Sequence, residues 1–328
     1  MAADDTAATA LLFGRDEVEE VDDWADRVAH LGRTSILWID LPRLDEEQAR
    51  HVAKALELAP ASTERLADHK GKPFFGDFGT YVHITAYAPA ANGTKSELER
   101  VACLVSKRWV LTVHDGDVPV LEAFRESAER GSGETGRIDG LEFLADLLEW
   151  VVEDYLEAFE EIELELEEID ARAMKGRVDE PEELVEQLVA HRQRIGQLRR
   201  ALVSHRTMLL ALAHPELAGM ADDEDAKRFA ELRVRLEEAV QAARDSRDSV
   251  VGSFDVLIAQ TGYRTNEIMK VLTLASVLLL PGALVAGVLG MNFRVGLFEH
   301  SNLFWMVLVL IALFAVATLA AARARRWI

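Results

Sequence analysis

Cysteine is almost missing from this chain: Cys103 is the single one among 328 residues. A sequence so poor in thiols holds no disulfide framework and no zinc site built from several cysteines. Positive charge is also short, with 36 lysines and arginines against 57 aspartates and glutamates, for a net charge of -21. Phosphate backbones need a basic surface, so nucleic acid is excluded as a partner. Enzyme signatures are missing as well. There is no His-Glu-x-x-His pair, no nucleophile elbow and no glycine fingerprint for a nucleotide, and the nine histidines are scattered. His83, in a strand-like stretch, reads as a core residue rather than a ligand. The N-terminal MAADDTAATALLF lacks the basic and long apolar regions of a signal peptide, which leaves the soluble part in the cytoplasm.

What the chain has is segregation: 49% hydrophobic and 28% charged residues, with the apolar excess gathered near the C-terminus. Val271 to Leu289 contains no charged side chain. As a helix it spans about 29 Å, close to the roughly 30 Å hydrocarbon thickness of a bilayer. A second run, Leu303 to Ala322, ends in Arg323, Arg325 and Arg326.

Upstream, residues 1–135 alternate strand-like and helix-like pieces. Ser35–Leu41 is a short apolar run closed by Pro42, and Asp45 caps a helix expected to reach about Leu58. Thr80–Tyr87, Leu98–Ser106 and Trp109–His114 read as strands, and 118–130 as a helix. The segment Gly131–Arg137 lacks the Lys-Ser/Thr of a phosphate loop and has no strand before it, so it reads as a linker. From 138 to 175 apolar residues recur at steps of three and four, from Leu141 to Ile169. The other faces carry Glu157, Glu160, Glu161, Glu163, Glu165, Glu167, Glu168 and Asp170, either a solvated face or a ring that concentrates cations. A second helix, to about Ala213, carries Arg192, Arg194, Arg199, Arg200 and Arg206. An acidic and a basic helix in succession predict an antiparallel hairpin with ion pairs across it. After His214-Pro215 and Gly219, no proline interrupts the helical pattern from about Asp222 to Pro281. Such a helix, about 100 Å long, exceeds a soluble domain and calls for neighbours, most economically other copies of the chain.

Asp255, Gly262, Asn266, Met269, Thr273, Ser276, Leu280, Ala283 and Gly287 follow at steps of 7, 4, 3, 4, 3, 4, 3 and 4. One helical stripe therefore holds the small and polar residues of the membrane end. Tight helix packing in lipid uses such stripes, and so does a water-filled axis. Asp255 and Asn266 in register with the stripe favour the axis. Pro281 would kink the helix or free a carbonyl, which a neighbouring cavity tolerates.

Asn266-Glu267-Ile268-Met269-Lys270-Val271-Leu272-Thr273, then Pro281, then Gly287-Val288-Leu289-Gly290-Met291-Asn292-Phe293 resembles the signature of the CorA magnesium transporters. The arginine-rich end closing on Trp327 is also similar. The resemblance implies a homopentameric channel for Mg2+, with Co2+ or Ni2+ as possible further cargo, lined by the first membrane helices. Gly290, Met291 and Asn292 would form the outer mouth, where amide oxygens meet a hydrated ion without stripping it. Asn266 would add an inner polar ring, Met269 and Leu272 a hydrophobic constriction, Leu280 a narrowing above it, and Asp255 a cytoplasmic carboxylate ring. It further implies closure by intracellular Mg2+ as regulatory ligand, with Glu231 standing where the family carries Asp. No other cofactor is implied. The family's Met-Pro-Glu loop segment is replaced by Phe293 to His300, in which Arg294 is basic and Glu299 is the one acid.

The expected class is α+β. A cytoplasmic α/β domain spans 1–135, a helical hairpin 138–213 and a stalk helix 222–270. Transmembrane helices follow at 271–290 and 303–322, joined by an outer loop at 291–302, with a basic tail at 323–328. Arg264, Lys270 and the C-terminal arginines place both termini in the cytoplasm, below the inner (plasma) membrane. Two rival functions remain: a zinc transporter of the ZntB-related branch, against which Met291 speaks, and a non-conducting membrane-anchored scaffold.

Overall fold

The computed structural model describes residues 9–14, 18–32, 35–68, 73–90, 98–130, 139–175, 181–213, 223–291 and 301–325. They form two compact units, residues 1–171 with 180–253, and residues 172–179 with 254–328.

In the first unit seven strands make one mixed sheet. They are β1 (Thr9–Phe13), β2 (Val18–Glu20), β3 (Ile36–Pro42), β4 (Phe74–Asp77), β5 (Tyr81–Pro89), β6 (Leu98–Ser106) and β7 (Trp109–His114), in the order β2-β1-β3-β7-β6-β5-β4. β3 and β7 pair in parallel at the centre, and every other pairing is antiparallel. Alternation along β3 sorts its side chains between two cores. Leu37, Ile39 and Leu41 pack with Ala49 and Val52 of α2 (Glu46–Ala55), with Leu56 just after it, and with Leu66 of α3 (Pro60–Ala67). Trp38 points the other way, its ring 5.7 Å from Phe124 of α4 (Pro119–Arg130) and 5.2 Å from Phe143 of α5 (Gly140–Met174). The result is a sheet covered on both faces, as layered α/β architectures require.

Several boundaries depart from the sequence reading. Strands β1, β2 and β4 and helices α1 (Trp24–Val28) and α3 were not anticipated. Asp45 caps α2 as expected, through its carboxylate and the reciprocal Gln48 side chain. The helix stops at Ala55 rather than Leu58 because Glu57 turns left-handed, at φ 54. Leu58 N–H then donates back to the Ala53 carbonyl at 2.8 Å. This is the closure a glycine normally provides, and no glycine marks it here. The segment 131–137 lies outside the described residues.

The long helices of this unit are α5, α6 (Pro181–Leu212) and the first part of α7 (Asp223–Leu289). The expected ion pairs across α5 and α6 form at Arg194–Glu161 (2.9 Å) and His191–Glu165 (3.4 Å). Arg206 turns instead to Glu237 of α7. The N-terminal half of α5 is met by α7. Arg228 reaches Glu142 and Asp146, and Arg235 reaches Glu149 and Glu153, at 2.9–3.6 Å. Glu142, Asp146, Glu149 and Glu153 thus form a seam between helices, upstream of the acidic face at Glu157–Asp170, where Glu157, Glu160, Glu163, Glu167 and Glu168 are exposed.

Two side chains tie the hairpin to the sheet. β5 runs past the end of β4, which leaves the backbone of Tyr87 without a strand neighbour on that side. Its N–H donates to His205 of α6 at 3.0 Å, and its carbonyl accepts from the Tyr155 hydroxyl of α5 at 2.9 Å. Both side chains are buried, so each replaces a ladder bond that water could not supply. Burial pushes His205 down to about 4 and, with nearby Arg100 and Arg65, His83 down to about 3.

Tyr155→Phe strands the Tyr87 carbonyl and should destabilise the protein by about 1–3 kcal/mol in chemical denaturation. The histidines set a pH dependence of known sign. Both stay neutral when folded and protonate near pH 6.5 when unfolded, so their contribution is complete above that pH and is lost as pH falls towards 4. The denaturation midpoint of detergent-solubilised protein should drop over that window, and His205→Gln should flatten the drop.

Candidate ion pathway

In the second unit the end of α7 packs beside α8 (Ser301–Ala324), and both are long and apolar enough to cross a membrane. The contact face on α7 is readable from partial burial. Leu274, Leu278, Pro281, Gly282 and Val285 are half-buried among otherwise exposed neighbours. At Gly282 an added methyl would sit 3.7 Å from Ile311, an ordinary contact distance that marks where the two helices touch. The helix continues through Pro281, which lacks an N–H and leaves the Val277 carbonyl without its helical donor.

At about 100° per residue, the small and polar stripe lies on the opposite side of the helix from that contact face. Asp255, Gly262, Asn266, Met269, Leu272, Thr273, Leu280, Ala283 and Gly287 are all exposed within one chain, and Ser276 is half-exposed. Nothing lies within 4 Å of a methyl built on Gly262 or Gly287. The stripe is thus not what holds α7 to α8. Lys270 projects towards the contact side, where its ammonium meets Glu267 at 2.6 Å. Its charge is thereby turned away from the stripe and neutralised.

The helix ends where Gly290 N–H bonds the Ala286 carbonyl and Met291 N–H bonds that of Val288. Gly290 and Met291 are exposed. Asn292, Arg294 and Glu299 lie outside the described residues. Glu231 sits in the first unit, 69% exposed and 3.8 Å from Lys227. It shares a recess with Asp146, Glu149, Arg228 and Arg235. Among the described residues, no three His, Cys, Asp or Glu side chains converge as metal ligands. Arg228 and Arg235 already serve the nearby carboxylates, so a single chain supplies Glu231 with no partner set for a metal ion. The arginine seam escaped sequence reading. Its signal was present in the matching seven-residue spacing of Arg228 and Arg235 on one helix and of Glu142 and Glu149 on the other.

The chain matches the family model described as CorA-like Mg2+ transporter protein over residues 33–323. It is 28% identical over 268 residues to the cobalt/magnesium transport protein CorA of Thermotoga maritima, covering 78% of this chain and 73% of that one. The complete CorA magnesium transporter structure from Methanocaldococcus jannaschii superposes with a TM-score of 0.80 at 18% identity, covering 100% of both chains. The ZntB cytoplasmic domain from Vibrio parahaemolyticus shares the fold at a TM-score of 0.57 and 10% identity, over 78% of this chain and 98% of its own. With a family match across nearly its whole length and two apolar helices in the matching place, this chain belongs to the CorA-like Mg2+ transporters, a family of membrane transporters rather than enzymes.

Proposed function

We propose that copies of this chain assemble as a homopentamer whose first membrane helices surround a passage for a divalent cation, Mg2+ foremost and Co2+ or Ni2+ with it. One observation carries this reading: the polar and small stripe of α7 lies open, on the side away from the chain's own second span. Thr273 and Ser276 lie within the span and Asn266 at its inner end, so the stripe calls for water or for other copies around it. The names of the relatives supply the cargo, as they are magnesium and cobalt/magnesium transport proteins.

In this reading Gly290, Met291 and Asn292 form the outer mouth. Asn292 carboxamides hydrogen-bond the water shell of the ion, which Mg2+ sheds reluctantly. Asn266 offers a second amide ring at the inner end, and Thr273 and Ser276 offer hydroxyls between the two. Met269 and Leu272 form a hydrophobic constriction that closes by excluding water, with Leu280 narrowing the passage above. Asp255 gathers cations on the cytoplasmic side, and Glu299 does so weakly outside. Both termini lie in the cytoplasm. Intracellular Mg2+ acts as the regulatory ligand, and the carboxylates that complete a site with Glu231 come from a neighbouring copy.

Divalent-ion flux into proteoliposomes tests the assignment. Mg2+ should pass without a pH gradient, and Asn292→Ala should reduce its flux at least about tenfold, since each lost charge-assisted contact is worth one or two kcal/mol. Proton-dependent Zn2+ flux in place of Mg2+ flux identifies a zinc transporter. Unchanged Mg2+-limited growth of cells carrying Asn292→Ala identifies a scaffold. Replacing Met269 and Leu272 by serine wets the constriction and should raise Mg2+ flux several-fold at high internal Mg2+.

A further inference from the structure

Within the first unit, a cavity of about 550 Å3 opens between α4, α5 and the first part of α7. Pro119, Val120 and Ala123 of α4 give it a hydrocarbon wall, and Trp150 of α5 faces into it. The indole is 38% exposed and is braced edge-on by Phe124, with ring centroids 6.0 Å apart. Asp154 and Glu157 also line the cavity, at four and seven residues from Trp150, so all three share one helix face.

The charges in this cavity do not cancel. Arg235 is held by Glu149 at 2.9 Å and Glu153 at 3.6 Å. Asp154 keeps one carboxylate oxygen, Oδ2, buried without a hydrogen-bond partner among the described residues. Burial, and then the charge of Glu157, push its carboxyl up to about 6. A buried carboxylate oxygen with a second carboxylate one turn away is stabilised by an incoming cation.

The shape selects the kind of cation. No three carboxylate or imidazole side chains converge here to ligate a metal, among the described residues. A hydrated metal ion also makes no use of an indole face or a three-residue hydrocarbon wall, whereas an alkylammonium uses both. We propose that this cavity binds an aliphatic diamine or polyamine, one ammonium set between Asp154 and Glu157 and the methylene chain laid along Trp150 and Val120. The occupant is an organic cation distinct from the transported ion, and its site belongs to the soluble unit.

Isothermal titration of the full-length protein in detergent with 1,4-diaminobutane and with spermidine, at fixed ionic strength, tests this without any flux measurement. Saturable binding is expected, tighter for spermidine. Trp150→Leu, which keeps apolar bulk but removes the ring face, and Glu157→Gln, on an exposed position, should each weaken it about tenfold. Asp154→Asn should weaken it at least as much. Mg2+ at the same ionic strength should not displace the amine. No saturable heat, equal affinity in Trp150→Leu and Glu157→Gln, or full displacement by Mg2+ would each overturn the proposal.

Discussion

A polar side chain on a membrane helix has two tolerable surroundings, water or a polar neighbour, because hydrocarbon offers no hydrogen bond. That constraint governs the C-terminal part of this protein. Asn266, Thr273 and Ser276 recur on one face of α7, while leucines and valines cover the rest. The chain's own second span does not cover that face. It packs on the other side, where Gly282 faces Ile311. A single chain leaves the stripe open, and a ring of copies around water is the arrangement proposed to cover it.

The soluble unit solves a different problem with similar means. Its sheet is buried on both faces, so the ends of its strands need donors and acceptors brought by helices. His205 and Tyr155 provide them at Tyr87. Arginines of α7 then meet the acidic face of α5 at four carboxylates. Exposed ion pairs contribute little one by one. A ladder of them at matching seven-residue spacing aligns the two helices over about two turns. The first part of α7 is therefore held to α5 by directional contacts.

Much of this was legible in the sequence where a pattern repeats within a single element. Leu98–Ser106 and Trp109–His114 were read at the observed boundaries, because each is a β-rich run closed by a turn. The long helices and the two apolar spans followed from periodicity and length. What stayed hidden depends on partners far along the chain. β1 is a five-residue strand defined by its pairing with β3, and α2 ends at a left-handed glutamate with no residue type to announce it. The seam at Glu142, Asp146, Glu149 and Glu153 of α5 stayed hidden because the arginines that meet it lie some 80 residues later. The stripe on α7 was read from spacing alone, and its openness opposite α8 is what the three-dimensional arrangement added.

Cysteine scanning along α7 tests the central claim most directly, and the protein suits it. The native Cys103 is buried, and burial pushes its thiol pKa upward, so it contributes little background reactivity. Single cysteines at Asn266, Thr273, Ser276, Leu280 and Ala283, compared with Leu274, Leu278 and Val285 on the side towards α8, would be exposed to a membrane-impermeant thiol reagent in reconstituted protein while Mg2+ flux is recorded. A water-filled axis predicts modification and flux block at the first set and protection at the second. Equal protection of both sets, or modification that leaves flux untouched, would contradict a pore lined by this face.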